Sequence, residues 1–171
     1  MVASERRNPY LTPRLYVEGF ESNEYLVEQE PGVFVVSREC KPGSRCFGKA
    51  LYGVLLEELV DLVEKRVKRS FIVEPGDSKG EAFLVEEGSY IEPIPVSGSR
   101  AVLEVLEGDK VEEGNVLGIV VTRKYELRKI RSHVKGIVVY IYSAPTGPPD
   151  ENIVFISPEE SVKKVRIVGR R

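Results

Sequence analysis

Side chains able to carry out catalysis are few in this sequence and lie far apart. The chain has one histidine, His133, and two cysteines, Cys40 and Cys46. A structural zinc site needs about four His or Cys ligands, and a metallopeptidase-like site needs at least two histidines and an acid. Neither set is available, so the sequence excludes both kinds of metal site.

Three serines are the remaining candidates for a nucleophile: Ser97, Ser99 and Ser132. All three lie in predicted turns, and a serine attacks only when a neighbouring base removes its proton. His133 follows Ser132 but no second base is in view, and residues 76–80, GDSKG, lack the spacing of a phosphate-binding loop. We therefore predict a protein that is not an enzyme and that has no metal or cofactor of its own.

The two cysteines enclose the segment CKPGSRC, residues 40–46. Charged residues make up 30% of the chain, which has one glutamine and one methionine, and this composition is typical of proteins from thermophiles. Because intracellular disulfides occur in hyperthermophiles, a Cys40–Cys46 disulfide and two reduced thiols are both consistent with the sequence. The spacing is wider than the C-x-x-C of redox motifs, which argues against a redox site.

Basic side chains are concentrated in residues 123–135, although the net charge of the chain is −2. The basic residues are Arg123, Lys124, Arg128, Lys129, Arg131 and Lys135, against one acidic residue, Glu126. On one face they would attract phosphate, nucleic acid or an acidic partner. Tyr125 is the single aromatic residue of the segment, whereas proteins that bind single strands offer more stacking platforms. The alternative is a charged strand edge that resists edge-to-edge pairing.

The apolar pattern of the first half predicts the elements around these residues. Alternating runs at 15–20, 25–29 and 33–37 predict short strands, and further strands are expected near 71–74 and 81–86. In residues 47–69 apolar side chains recur every three or four positions, which predicts one long helix that packs on the sheet. A partner-binding or membrane-surface helix is the alternative. Residues 1–88 are thus predicted to form a small α/β N-terminal domain, in which one long helix packs on a few strands. This domain is the α+β part of the predicted fold.

Residues 89–171 are rich in Val and Ile and have no second helical pattern. Residues 95–98, PVSG, align with residues 133–136, HVKG, at an offset of 38, and strand-like runs follow both. Such an internal repeat predicts two similar halves packed as a flattened barrel or sandwich. The alignment sets His133 opposite Pro95, so we interpret the histidine as a turn residue. Because no run is apolar enough for a membrane helix or a signal peptide, we predict a cytoplasmic protein without a membrane partner.

Residues 108–117, GDKVEEGNVL, resemble the loop and strand of biotinyl and lipoyl carrier domains, written Gly-Asp-x-Val-x-x-Gly-x-x-Leu. In that family the modified lysine follows the second glycine by a fixed distance, which leads here to Lys124. The resemblance covers about residues 90–168. It implies a barrel-sandwich hybrid with Lys124 at a hairpin tip, able to carry covalent biotin or lipoate for a carboxylase or acyl-transfer complex. The whole chain also resembles an uncharacterised archaeal family with a small N-terminal domain and such a C-terminal domain.

The hairpin departs from the carrier pattern on both sides of the lysine. Arg123 and Tyr125 flank Lys124, where biotinyl domains have methionines and lipoyl domains usually have Asp before the lysine. The segment from Lys124 to Gly136 is one residue longer than in carriers, which predicts a bulge or a larger tip.

We therefore predict a mainly β fold with one long helix, in two domains, residues 1–88 and 89–171. The predicted function is an unmodified biotinyl/lipoyl-like module for assembly or binding of a protein partner that the sequence does not identify. A carrier modified at Lys124 is the first alternative. A binder of anions or nucleic acid through residues 123–135 is the second.

Overall fold

The structure, a computed structural model, describes residues 12–53, 56–76 and 78–169. In these residues nearly all regular structure is β. In chain order the elements are β1 (Arg14–Glu18), β2 (Tyr25–Glu30), β3 (Val33–Ser37), β4 (Cys46–Ala50), α1 (Leu56–Leu59), β5 (Val60–Asp61), β6 (Arg66–Val67), β7 (Phe71–Glu74), β8 (Glu81–Val85), β9 (Glu92–Gly98), β10 (Arg100–Leu103), β11 (Lys110–Val111), β12 (Val116–Val121), β13 (Leu127–Arg131), β14 (Gly136–Ser143), β15 (Asp150–Ser157) and β16 (Val162–Val168).

Seven strands close into a barrel in the order β1-β4-β2-β3-β16-β8-β7, and β7 pairs with β1 to complete it. Every neighbouring pair is antiparallel except β3 and β16. The last strand of the chain, β16, therefore lies in the same barrel as the strands of the first half. It pairs with β3 on one side and with β8 on the other.

Each barrel strand directs apolar side chains to a common interior, as the alternation of side chains along a strand requires. The interior residues are Tyr16, Leu26, Phe34, Phe47, Ile72, Ala82, Leu84, Val165 and Ile167. The rings of Phe34 and Phe47 meet edge to face, with centroids 5.5 Å apart. Burial of a large apolar side chain contributes about 1.5–3 kcal/mol, so this apolar interior stabilises the barrel.

The prediction of one long helix over residues 47–69, and with it of an α+β N-terminal part, is wrong. This segment contains β4, the single helical turn α1, and the short pair β5–β6. Residues 46–50 form strand hydrogen bonds with β1 and β2 instead of local helical ones. A Cβ atom at Gly48 would lie 1.9 Å from the carbonyl oxygen of Phe20, so the chain passes too close here for any other residue.

Backbone conformation and exposure explain why the helical spacing was misleading. Gly53 and Lys65 have positive φ angles, 87° and 55°, which interrupt a right-handed helix. Leu51 is 73% exposed and Val63 is 88% exposed, whereas Leu59 is fully buried. The apolar residues therefore do not share one buried face. Leu55, another member of the predicted stripe, lies outside the described residues.

Residues 92–157 form a second unit, the sandwich, of two facing sheets. One sheet has the order β10-β12-β13 and the other the order β11-β14-β15-β9. The side chains between them are apolar: Ile94, Val96, Val105, Val111, Leu117, Val120, Val138, Ile141, Val154 and Ile156. In this arrangement β13 forms an edge of the three-stranded sheet.

The four-stranded sheet also packs against the outside of the barrel. Tyr140 is fully buried at this junction, and its hydroxyl accepts the N–H of Gly53 at 2.7 Å. The Tyr52 hydroxyl accepts the N–H of Ile141 at 2.9 Å and donates to Glu107. Burial, together with the nearby Glu107 carboxylate, raises the pKa of Tyr52 well above its usual value. Buried hydrogen bonds and apolar contacts thus join the two units.

Helix α1 has a single turn. None of the helical structure in the described residues has the length and hydropathy of a membrane-spanning helix.

Candidate functional site

Strands β12 and β13 form a hairpin whose tip is residues 122–126. The N–H of Tyr125 donates to the carbonyl of Thr122 at 2.9 Å, and the N–H of Thr122 donates to the carbonyl of Glu126 at 2.8 Å. The Thr122 hydroxyl accepts the N–H of Glu126 at 3.1 Å. Local hydrogen bonds therefore define a turn in which residues 123–125 are presented to solvent.

Lys124 is the middle residue of this exposed turn, between Arg123 and Tyr125. Tyr125 has a φ angle of 62° and is 89% exposed. The tip spans the five residues between the paired Val121 and Leu127, and a register shift between Val116 and Gly118 places a bulge in β12. This bulge lies in β12 and not in the segment 124–136, where the longer spacing predicted it, and Lys124 lies at the end of the hairpin.

Three of the basic residues in 123–135 have partners close by. Arg128 Nη2 lies 3.7 Å from Glu126 Oε2, and Lys135 Nζ lies 4.0 Å from Glu112 Oε1. Arg131 Nη1 donates to a backbone carbonyl of the loop before β12 at 3.0 Å. These contacts are exposed, so each contributes little to stability, about 0–1 kcal/mol.

The other three basic side chains, Arg123, Lys124 and Lys129, have no hydrogen bond or ion pair with any residue that the structure describes. All three are exposed. The structure therefore has on the hairpin three exposed cations that form no ion pair with a carboxylate of the described residues.

The outer face of the three-stranded sheet adds exposed apolar side chains to these cations. The register aligns Val102, Ile119 and Lys129 across the sheet, and it aligns Val121 with Leu127 in the next row. Val102 is 62% exposed and Leu127 is 74% exposed. Residues on the opposite face, such as Ala101, Val120 and Ile130, pack into the core of the sandwich.

We refer to six of these residues as the hairpin surface: Val102, Arg123, Lys124, Tyr125, Leu127 and Lys129. Sequence reasoning singled out Arg123, Lys124 and Lys129 but missed Val102 and Leu127. Strand β12 is apolar on both faces, VLGIVV, so the pattern did not show which face is buried.

A shallow groove of about 530 Å³ lies beside the hairpin tip. Its lining residues are Ser97, Gly98, Ser99, Arg123, Pro148, Pro149, Asp150 and Glu151. The Ser97 hydroxyl accepts the N–H of Asn152 at 3.3 Å, and the Ser132 hydroxyl donates to the carbonyl of Val134 at 2.5 Å. Both hydroxyls are thus engaged by the backbone and not by a base.

His133 lies in the turn between β13 and β14 and joins a polar cluster around Glu92. His133 Nε2 lies 3.1 Å from Glu92 Oε2, and Lys65 Nζ lies 2.9 Å from the same oxygen. The Tyr90 hydroxyl donates to Glu92 Oε1. Burial alone would raise the pKa of Glu92, but the hydrogen bonds from Tyr90, Lys65 and His133 outweigh it and hold that pKa below its usual value.

The hydrogen bond to Glu92 also raises the pKa of Tyr90 to about 12. The cluster connects the β5–β6 loop, β9 and the β13–β14 turn and so holds these segments together. Across the described ranges, no group of three or more His, Cys, Asp or Glu side chains is placed to hold a metal ion.

In the barrel, Cys40 and Cys46 form a disulfide with Cα atoms 5.9 Å apart. The adjacent Arg45 contacts two carboxylates: its Nε donates to Glu18 Oε2 at 2.8 Å, and its Nη1 donates to Glu86 Oε2 at 3.2 Å. The hydrogen bond from Arg45 is the main cause that lowers the pKa of Glu86 to about 2. This basic side chain, unlike those of the hairpin surface, is fully engaged.

Comparison with known proteins identifies relatives over most of the chain. The family model described as "Uncharacterized protein conserved in archaea (DUF2118)" matches residues 10–159, which include the whole hairpin. The uncharacterized protein MJ0859 of Methanocaldococcus jannaschii is 28% identical over 156 residues, which are 88% of this chain and 94% of that protein. With its model matched over far more than half of its length, the chain belongs to the archaeal family DUF2118.

Proposed function

We propose that the chain is a non-enzymatic module of biotinyl/lipoyl-like design whose hairpin surface binds a protein partner. One observation carries the proposal: three cations without partners, Arg123, Lys124 and Lys129, stand beside exposed apolar side chains on one hairpin. The two facing sheets, with the lysine-bearing hairpin in one of them, agree with the biotinyl/lipoyl-like design.

The residue types of the hairpin surface suit protein binding. Tyr and Arg are enriched at the centres of protein interfaces, and Tyr125 and Arg123 supply both at the tip. Leu127 and Val102 add apolar area that is exposed in the free chain. Unpaired cations speed the approach of an acidic partner and favour it over a basic one.

Co-purification from the source cells tests this proposal. We compare the tagged wild-type chain with Lys124→Glu/Lys129→Glu. The matched control is Lys41→Glu/Lys49→Glu, which makes the same change in charge at exposed barrel lysines that also have no partner among the described residues. The measurement is the stoichiometry of any protein that co-purifies, by gel filtration and mass spectrometry.

We expect a stoichiometric partner with the wild type and with the barrel control, and its loss from the hairpin variant. Retention of the same partner by the hairpin variant would overturn the proposal. The absence of any stoichiometric protein from all three samples would overturn it as well.

A carrier function is the second candidate, and the position of Lys124 favours it. The lysine is exposed in the middle of the hairpin turn, where an attached biotin or lipoate is free to move between partners. In that case the partners are a ligase and a carboxylase or acyl-transfer complex.

The intact mass of the protein, co-expressed with an archaeal biotin or lipoate ligase, tests the carrier function. Modification adds the mass of one biotinyl or lipoyl group to the wild type and nothing to Lys124→Arg. An unchanged mass with both ligases, and in protein purified from the source cells, would exclude the carrier function.

A further inference from the structure

We propose that the open edge of β13 binds an extended, acidic segment of a partner protein as an added β-strand. The inference rests on the proposed function and specifies the chemistry and conformation of the partner. It is carried by the geometry of the strand edge, the charges along it and the unequal sizes of the two sandwich sheets.

The backbone of β13 presents free hydrogen-bonding groups to one side. Strand β13 pairs with β12 alone among the described strands. In an antiparallel pair, alternate residues direct their N–H and C=O groups toward the partner strand. The Thr122–Glu126 hydrogen bond sets this alternation, so the backbone groups of Leu127, Lys129 and Arg131 point away from β12. These are the groups that an added strand would pair with.

The sandwich also has room for a further strand at this edge. The sheet that carries the hairpin has three strands, whereas the sheet packed against it has four. Ile130 packs only partly into the core at the edge, and Leu127 is 74% exposed on the outer side. A fourth strand beside β13 would cover apolar surface on both faces of the sheet. It would also give the two sheets the same number of strands.

The basic charges along β13 favour an acidic sequence in the added strand. Arg128, Lys129 and Arg131 follow one another closely, with Arg123 and Lys124 just before them at the tip. An added strand with carboxylates on its outer face would place them opposite Lys129 and Arg131, which is favourable across a strand pair. A second copy of the chain would set basic residues against basic residues, and edge lysines are known to prevent such self-pairing. The occupant we commit to is therefore an acidic segment of a different protein.

A labelled peptide tests the inference with the full chain. The probe has about eight residues, a usual strand length, in which Glu alternates with Val. One control peptide has the same charge but contains two prolines, which remove strand hydrogen bonds. A second control has Lys in place of Glu. Binding is followed by fluorescence anisotropy at low and at physiological salt concentration.

Two substitutions at one position separate backbone pairing from charge. Lys129→Gln removes the charge and keeps the N–H, whereas Lys129→Pro removes both. Proline is tolerated where an edge N–H faces solvent, so the pairing with β12 remains. We expect Lys129→Pro to bind the acidic peptide about tenfold more weakly than Lys129→Gln does. The melting temperatures of both variants establish that they are folded.

The expected result is binding of the Glu/Val peptide, with weaker binding of the proline peptide and none of the Lys peptide. Equal affinity for the Glu/Val and proline peptides, or equal effects of Lys129→Pro and Lys129→Gln, would overturn strand addition. Tighter binding of a single-stranded RNA of the same charge would overturn the assignment to a protein segment. These outcomes leave the co-purification result intact, so failure of this inference is distinguishable from failure of the proposed function.

Discussion

Arg45 in the barrel and Lys129 on the hairpin are both basic side chains on β structure, but their surroundings differ. Arg45 lies between the carboxylates of Glu18 and Glu86, and its guanidinium is 5.0 Å from the centre of the Phe47 ring. Lys129 is exposed beside Leu127 and contacts no carboxylate of the described residues.

The difference separates a structural charge from an available one. A cation between two carboxylates contributes to folding. Because its charge is already neutralised, it attracts a ligand only weakly. A cation without a partner contributes little to folding and leaves its charge free to attract a partner. Substitutions in the two regions should therefore have opposite effects on stability and on binding.

The largest effect is expected from Arg45→Ala. This substitution removes charge-assisted hydrogen bonds from two partly buried carboxylates, Glu18 and Glu86, and we expect the free energy of unfolding to fall by about 2 kcal/mol. Lys129→Ala should change it by less than about 0.5 kcal/mol, as is usual for an exposed residue without contacts. Urea denaturation of both variants measures the difference.

Equal losses of stability in Arg45→Ala and Lys129→Ala would remove the distinction between the two regions. So would a loss of peptide or partner binding in Arg45→Ala under conditions in which that variant is folded.

The pH dependence of stability should sharpen the same comparison. Hydrogen bonds from Arg45 first, and then from Lys163 and Ser70, lower the pKa of Glu86 from 4.5 to about 2, against the opposing effect of burial. Because the folded-state pKa lies below the usual value, the contribution of the ionised carboxylate is complete above pH 4.5 and is lost as the pH falls toward about 2.

Over that pH interval, Arg45→Ala should lose stability less steeply than the wild type does. Lys129→Ala should follow the wild-type curve. The measurement is the free energy of unfolding at closely spaced pH values, and identical slopes in the wild type and Arg45→Ala would contradict the account.

A much smaller effect than that of Arg45→Ala, and of opposite sign, is expected at the hairpin tip. Tyr125 has a positive φ angle of 62° and an exposed ring, so Tyr125→Gly relieves backbone strain without loss of packing. We expect an increase of about 0.5 kcal/mol in the free energy of unfolding, reduced from the full strain by the flexibility of glycine in the unfolded chain. Thermal unfolding measures the change, and a decrease would show that the ring contributes contacts to the tip.

Short strands with clear alternation could be predicted from the sequence, but their assembly into a barrel could not. Strands were expected at 33–37 and 71–74, and β3 and β7 have those bounds. The barrel depends on pairing between distant segments, such as β16 with β3, which no local pattern reveals. The helix predicted over 47–69 failed for the same reason, because pairing of β4 with β1 and β2 overrides a local apolar spacing.

The resemblance to carrier domains implied that Lys124 lies at a hairpin tip, and in the structure it lies there. The paired or unpaired state of each basic residue could not be predicted, because it depends on neighbours brought close by folding. Lys135 meets Glu112 where β11 pairs with β14, whereas Lys129 meets no acid of the described residues. Exposure of Val102 and Leu127 likewise depends on register, which the sequence of β12 does not define.

Site-specific photo-crosslinking in the source cells shows whether the hairpin surface contacts a protein partner. A photoreactive amino acid replaces Leu127 on the hairpin or, as the control, Val63, which is 88% exposed outside the sandwich. We expect a discrete adduct with one protein from position 127, none from position 63, and loss of the adduct when Lys124→Glu/Lys129→Glu is added. Equal adducts from both positions, or no adduct from position 127, would contradict it.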